Sequence, residues 1–291
     1  MSTVALQAVA TPNENANEKA HERATFQIPN NAVEISPGIF SLGTIEVNGQ
    51  ILEGIMAYHH RPNHSGGPGG GEDPIDETDS SGCYSYIFGK PLQWTAQESW
   101  VVNATNIRGL NHNDVLDILN DGFAKWETSA GTEILGNGTL TTDTLVADTV
   151  STDGINEIYF ADIRNSDGTQ NNNIIGITIT WGVVNGPPFA RGLVEMDQVY
   201  DDVSFDWATN PDSTDPNFPE SGKMDFDNVA THEIGHGLGM GHTSVKDSNF
   251  DGIPDDDDPC KEQTMYPYTS NGVTDGRTLE DGDEAGIQKL Y

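Results

Sequence analysis

The chain has 291 residues, 46 acidic against 13 basic, for a net charge of −33 at pH 7 and a pI near 4.1. That balance argues against nucleic acid or an anionic membrane surface as partner, and no run approaches the roughly 18 apolar residues of a membrane-spanning helix. Hydrophobic residues make up 35% of the chain, which still permits a core, and the two cysteines are an even number.

Residues 1–24 read as a disordered N-terminus. Met1 to Ala10 are small and apolar, ending Ala8-Val9-Ala10, which fits either the remnant of a trimmed signal peptide or the start of the disordered stretch. From 25 to 62 apolar and polar residues alternate around Pro37-Gly38 and Asn48-Gly49. The second pair lies between Thr44-Ile45-Glu46-Val47 and Gln50-Ile51-Leu52-Glu53 and predicts a hairpin, so 25–62 is expected to form a small β extension, either a pro-segment or a packing arm. Residues 63–82, with Gly66-Gly67-Pro68-Gly69-Gly70-Gly71 among acidic residues, read as a flexible linker. His59, His60 and His64 border it. They are read as part of a solvated loop, because no acidic or Cys partner stands at regular ligand spacing.

A single α+β domain is expected over 83–291. Strands are predicted at 94–104, 132–135, 157–162, 174–181 and 193–200, and a helix at 113–129, where Val115, Leu116, Ile118, Leu119, Phe123 and Trp126 fall on one face. A second helix, capped by Asp225 or Asn228, turns Val229 and Ile234 inward and His232 and His236 toward a cleft.

That helix begins the run His232-Glu233-Ile234-Gly235-His236-Gly237-Leu238-Gly239-Met240-Gly241-His242. Histidines four apart leave one helical face and can bind one metal from two directions. Gly239 tolerates the left-handed backbone that ends a helix, so the chain can return with His242 as third ligand. Three ligands leave one tetrahedral position open, the mark of a zinc that activates water rather than one that only holds a fold, and Glu233 stands where it can act on that water. In a chain of this composition the two-histidine core arises by chance roughly once in a hundred, and with Gly239 and His242 on the order of once in ten thousand. One catalytic zinc is therefore expected, with Glu233 as general base and acid.

Between His242 and the next apolar turn, Asp247, Asn249, Asp251, Ile253 (through its carbonyl), Asp255 and Asp258 follow the ligand spacing of a calcium loop with Gly252 at its sharp turn. The alternative is an acidic solvated loop. Cys83 and Cys260 are expected to form a disulfide, as suits an exported hydrolase; the rival reading makes Cys83 a thiolate that blocks zinc.

The eleven-residue run resembles the extended motif of the metzincin metallopeptidases, and Thr264-Met265-Tyr266-Pro267 resembles the methionine turn of that clan. The stretch 279–291 is similar to the last helix of matrixins, the group that contains the matrix metalloproteinases, with Thr278 and Asp281 able to cap it. The resemblance runs from about residue 90 to Tyr291. It implies a twisted, mixed five-stranded sheet with an active-site helix, a second long helix and a C-terminal helix, with Met265 as a floor below the metal and Tyr266 and Pro267 shaping the pocket for the residue after the cleaved bond. It further implies a secreted, monomeric zinc endopeptidase acting on polypeptides, whose substrate lies along the sheet's edge strand. Departures from the pattern matter too. Thr243 replaces the usual Ser, Pro267 stands where some relatives place a metal-reaching Tyr, no His lies between His112 and His232 to hold a second zinc, and the family's cysteine-containing latency segment is absent. A catalytically inactive, calcium-stabilised adhesion module is the alternative of another class; it would need no general base, yet Glu233 is intact.

Overall fold

The structure is a computed structural model that describes residues 24–62, 82–209, 222–243 and 258–291. In chain order the strands are β1 (Thr25–Gln27), β2 (Val33–Ser36), β3 (Ile39–Val47), β4 (Gln50–His60), β5 (Ser85–Tyr86) and β6 (Trp100–Asn103). Helix α1 (His112–Ala130) follows, then β7 (Thr139–Leu140), β8 (Asn156–Arg164), β9 (Ile174–Val183), β10 (Gly192–Asp201), β11 (Trp207–Ala208) and β12 (Met224–Asp225). Helix α2 (Phe226–Gly237), β13 (Met240–Gly241) and helix α3 (Asp281–Leu290) complete the chain.

Among the described residues, nine strands form the main sheet, in the order β2-β3-β4-β9-β10-β8-β6-β7 with β1 paired to β8. Strands β7, β6, β8 and β10 run parallel to their neighbours, whereas β9 lies antiparallel to β10. Strands β8, β9 and β10 are buried almost throughout, as expected of strands covered on both faces. One face packs on the helices through Trp100, Phe123, Trp126, Met196 and Ile234. The other face forms a second core from Phe26, Met56, Tyr58, Ile177, Ile179 and Trp181.

Residues 25–62 are therefore no separate extension. Among the described residues, five strands of the main sheet come from the region after Cys83, and β1 to β4 bring the total to nine. The Asn48-Gly49 hairpin forms as expected, both residues taking positive φ (53° and 82°). Beyond it β4 continues for eleven residues and pairs with β9 from Leu52↔Val183 to His60↔Ile174. Sequence alternation shows that a strand exists, but not which edge it joins.

Two other expectations shift. The strand predicted at 94–104 is confined to β6, with Trp94 making only an isolated bridge to Leu193. At 132–135 there is no strand, because the Glu127 carboxylate accepts the N–H groups of Ile134, Leu135 and Gly136 at 2.8, 2.8 and 2.7 Å. Those donors are satisfied by a side chain, which leaves nothing for a ladder.

Helix α1 starts on Asn111, whose Oδ1 accepts from Asn113 N at 2.9 Å, and packs on α2. Trp126 Nε1 donates to the Thr231 carbonyl at 2.8 Å, and the bare Gly122 admits Ile234. Helix α2 is thus wedged between α1 and β9, with residues 228–237 buried. Helix α3 begins one residue after Glu280, and the Asp283 carboxylate accepts the Glu280 N–H at 3.0 Å. Thr278 and Asp281 do not form the cap the sequence suggested; Glu280 and Asp283 do.

Candidate active site

Of the two candidate caps for α2, Asp225 makes the bond: its Oδ1 accepts from Asn228 N at 2.8 Å, and Arg277 Nε donates to the same oxygen at 3.0 Å. From this start, His232 and His236 fall one turn apart on one face of the helix. The helix stops at Gly237. Gly239 has φ +105°, and a Cβ there would lie 2.6 Å from the Leu92 carbonyl, so a side chain is excluded by conformation and by space. The reversed chain pairs as β13 with β5 and returns His242 to the helix.

The ligand atoms of His232, His236 and His242 lie within 4.8 Å of one another. Each Nδ1 faces a backbone carbonyl: Thr264 at 2.6 Å for His232, Met240 at 2.9 Å for His236, and Pro37 at 3.2 Å for His242. A carbonyl only accepts, so each Nδ1 carries the proton and each Nε2 presents a bare lone pair. His236 Nε2 and His242 Nε2 then face each other at 3.1 Å, while His232 Nε2 is buried without a partner. Lone pairs so placed repel unless a cation lies among them. Burial, reinforced by the neighbouring imidazoles, holds all three rings well below the usual histidine pKa and hence neutral, the form that binds metal. The residues present fit a zinc ion held by three nitrogens.

Glu233 lies beside them. Its Oε2 accepts from Thr178 Oγ1 at 2.5 Å, and its Oε1 is buried without a hydrogen bond. Burial raises its pKa to about 8, partly opposed by the Thr178 hydrogen bond. On β9 a Cβ at Gly176 would stand 2.5 Å from Glu233 Oε1, so the strand keeps that position bare.

Met265 sits underneath. A Cβ at Gly235 would lie 2.3 Å from Met265 Sδ, and Thr243 N donates to the Met265 carbonyl at 3.0 Å. The turn is held from α3, because Asp283 accepts the N–H groups of Thr264 and Met265 at 2.7 and 3.1 Å. Tyr266 donates its hydroxyl to Asp258 Oδ2 at 3.1 Å, and Pro267 O accepts from His60 N at 3.2 Å. A cavity of about 30 Å³, room for about one water, lies here between His59, Asn228, Thr264, Tyr266 and Thr269.

His59 is the correction with most consequence. Read from sequence as part of a solvated loop, it is only 2% exposed and stacks on the His232 ring at a centroid distance of 3.7 Å. Its Nδ1 stands 4.0 Å from Glu233 Oε1, and neither of its nitrogens has a hydrogen-bond partner. His60 lies in the same strand end, whereas His64 lies outside the described residues. A substrate was expected along the sheet's edge strand; β9, which carries the strand face next to Glu233, is not an edge, because β4 pairs with it on one side and β10 on the other.

Cys83 and Cys260 are joined, with Cα atoms 5.4 Å apart, so Cys83 does not face the metal as a thiolate. Of the calcium-loop residues Asp247, Asn249, Asp251, Ile253, Asp255 and Asp258, only Asp258 lies within the described residues. Its carboxylate accepts from Cys260 N at 2.9 Å as well as from Tyr266. A separate group unnoticed in the sequence, Asp148, Asp153 and Glu195, brings ligand oxygens within 4.8 Å of one another. His59, Thr178, Gly235 and Asp283 were also missed. Only Asp283 left a local signal, a carboxylate three residues into a helix.

A sequence model of the family described as Matrixin matches residues 93–253. Matrilysin from Rattus norvegicus is 39% identical over 72 residues, which is 25% of this chain and 21% of that protein. Metalloendoproteinase 4-MMP of Arabidopsis thaliana is 26% identical over 214 residues, 72% of this chain and 50% of the relative. The chain thus spans between about a fifth and half of the length of these relatives. Among solved structures, metalloproteinase-II from Bacteroides fragilis aligns over 89% of this chain and 77% of its own, at 11% identity and a TM-score of 0.32.

Proposed function

Because this chain belongs to the matrixin family, we propose that it is a secreted zinc-dependent endopeptidase that hydrolyses polypeptides with Glu233 as general base and then acid. The observation that carries this reading is the convergence of three buried, bare Nε2 atoms beside one buried, half-satisfied carboxylate. An adhesion module that had lost its activity would have no use for that carboxylate.

His232, His236 and His242 would hold the ion, which when bound supplies a Lewis acid and a water acidified to a pKa near 7. Glu233 Oε1 takes the proton of the attacking water and later delivers it to the leaving amine. Thr178 pins the other carboxylate oxygen, so the free one keeps a single direction. In the metal-free site burial raises the Glu233 pKa to about 8; a cation held by the three histidines would bring it down toward neutrality, where a carboxylate can both take a proton and pass it on. Met265 keeps the floor apolar, and Tyr266 and Pro267 border the pocket for the residue after the cleaved bond. The three histidines come from one chain, so the site requires no second copy, and a monomer is proposed. The disulfide supports export to an oxidising compartment.

Calcium is the second proposed ion, with a structural role. Two groups of hard oxygen donors support it: the sequence pattern of 247–258 and the Asp148, Asp153 and Glu195 cluster. Millimolar calcium should raise the melting temperature and a calcium chelator lower it; a melting temperature indifferent to both would remove calcium from the account.

Catalysis is tested by digestion of unfolded casein. Phenanthroline should abolish cleavage, and about one equivalent of zinc should restore it. Cleavage insensitive to the chelator, or no cleavage by the zinc-loaded protein, would overturn the reading.

A further inference from the structure

The loop that joins β9 to β10 forms one wall of a cleft of about 290 Å³, and the segment 90–95 forms the other. Both walls are stiff. Pro187 and Pro188 open the short helical turn Pro188–Ala190 with φ fixed by their rings. On the other side Leu193 N donates to the Gln93 carbonyl at 2.9 Å, and Leu92 packs so closely on Gly182 that a Cβ there would lie 2.4 Å from Leu92 Cδ2. This second wall also reaches the active-site helix, since Trp94 Nε1 donates to the Gly237 carbonyl at 2.9 Å.

The chemistry of the cleft departs from that of the chain. Of the 46 acidic residues, none among those described lines it, whereas Lys90 and Arg191 both do. Arg108, Lys125, Arg164 and Arg277 each pair with an aspartate, but neither Lys90 nor Arg191 has a carboxylate partner among the described residues. Arg191 Nε donates to the Gly186 carbonyl at 2.9 Å. That bond holds the guanidinium and leaves its two outer nitrogens for the two oxygens of a carboxylate.

Phe189 stands in the same wall as Arg191 and is 86% exposed, more than any other large hydrophobic side chain among the described residues. An aromatic ring left in water beside two unpaired cations has the composition of a binding surface. Charge selects its occupant. The net charge of −33 acts against long polyanions such as nucleic acid. A short acidic segment seated in the cleft responds instead to the cations within one screening length, about 8 Å at physiological ionic strength.

We propose that this cleft is a substrate-docking site for an acidic stretch of polypeptide that carries an apolar or aromatic residue. Lys90 and Arg191 take its carboxylates, and Phe189 packs on its apolar side chain. The position suits the role. Strand β9 runs from Thr178, bonded to Glu233, to Val183 at the start of the cleft loop, about 17 Å at the rise of a strand. A substrate seated at both places carries its acidic stretch roughly five or more residues from the cleaved bond. The part in proteolysis rests on the endopeptidase reading; the binding does not.

Binding is measured by calorimetry on the full chain with phenanthroline present to stop hydrolysis, and the probe is a short capped peptide of glutamates flanking a phenylalanine. Wild type should bind it at low salt and lose at least about tenfold in affinity near 1 M salt, where screening shortens to about 3 Å. The same peptide with glutamine for glutamate should bind at least about tenfold more weakly, as should the glutamate peptide to Lys90→Glu with Arg191→Glu. Lys90→Gln with Arg191→Gln is a milder pair. No binding to wild type, equal binding of the glutamine peptide, or unchanged affinity in both paired variants overturns the proposal. So does a dimer in sedimentation that the paired variants dissociate, because the occupant is then a second copy. With zinc loaded, a quenched substrate extended by the glutamate stretch should show a KM at least about fivefold below that of its glutamine counterpart at equal kcat, and the paired variants should erase the difference. Equal KM values in wild type overturn the docking role. Binding of the acidic peptide by a chain that cleaves neither substrate upholds the cleft and overturns the endopeptidase reading instead.

Discussion

Residue 235 carries no side chain, and Met265 uses the space. Its sulfur passes against the underside of α2 where any Cβ would intrude to 2.3 Å. Gly235→Ala should therefore cost about 1–3 kcal/mol through overpacking, seen as a lower urea midpoint, and should weaken zinc retention by tilting the helix that carries two ligands. An unchanged midpoint would show that the turn methionine is not packed as described. At this scale the sequence was most legible where ligands are neighbours in the chain. His232, Glu233, His236 and His242 sit within one helix and the turn after it, so spacing alone predicts their convergence. His59 could not be found that way, since its position depends on a strand pairing with residues 174–183, and no local pattern encodes the partner.

Between elements, carboxylates act as joints. Asp283 ties α3 to the methionine turn by accepting three backbone N–H groups, from Thr264, Met265 and Glu280. Asp283→Asn replaces an all-acceptor side chain with one that also donates. It should cost about 1.5–3 kcal/mol, the worth of a charge-assisted hydrogen bond, measured by denaturant unfolding; a loss confined to activity would contradict the structural role. Glu195 joins β10 to the loop before β8, since its Oε2 accepts the Gly154 N–H. Burial lifts its pKa from 4.5 to about 8, and the nearby charges of Asp148 and Asp153 push in the same direction. An acid whose folded pKa is raised contributes stability that is full below its unfolded pKa and lost as pH climbs through the folded value. Glu195 therefore lowers the stability of the metal-free protein between pH 5 and pH 8, against the opposite slope of the buried neutral histidines, and Glu195→Gln should shift the gap in urea midpoints between those two pH values toward greater stability at pH 8. An equal gap in the variant would locate the pH dependence elsewhere. Element prediction failed where carboxylates intervene: apolar residues at 132–135 suggested a strand, but Glu127 collects their N–H groups instead.

For the molecule as a whole, the sequence conveyed the α+β class, the order of the two long helices and the last helix, and the Cys83–Cys260 link. It set 25–62 apart as a small extension because a hairpin signal describes only its own two strands. The structure lays those strands into one continuous sheet of nine, with a second core beneath them. The disulfide closes a separation of 177 residues between the start of the second region and the loop below the site. Opening it by Cys83→Ser should cost about 3–5 kcal/mol on the chain-entropy account, read as a fall in melting temperature that reductant reproduces in the wild type. No change in either would show that the link does not bear on stability.

The central claim is that three histidines hold a zinc and that Glu233 moves the proton of hydrolysis. It is tested most directly by the rate of cleavage of a quenched peptide library by wild type and Glu233→Gln, both with zinc counted. The account predicts one zinc per chain in each and a rate at least about a hundredfold lower in the variant, the usual scale of general acid–base catalysis. Equal rates at equal zinc would contradict it.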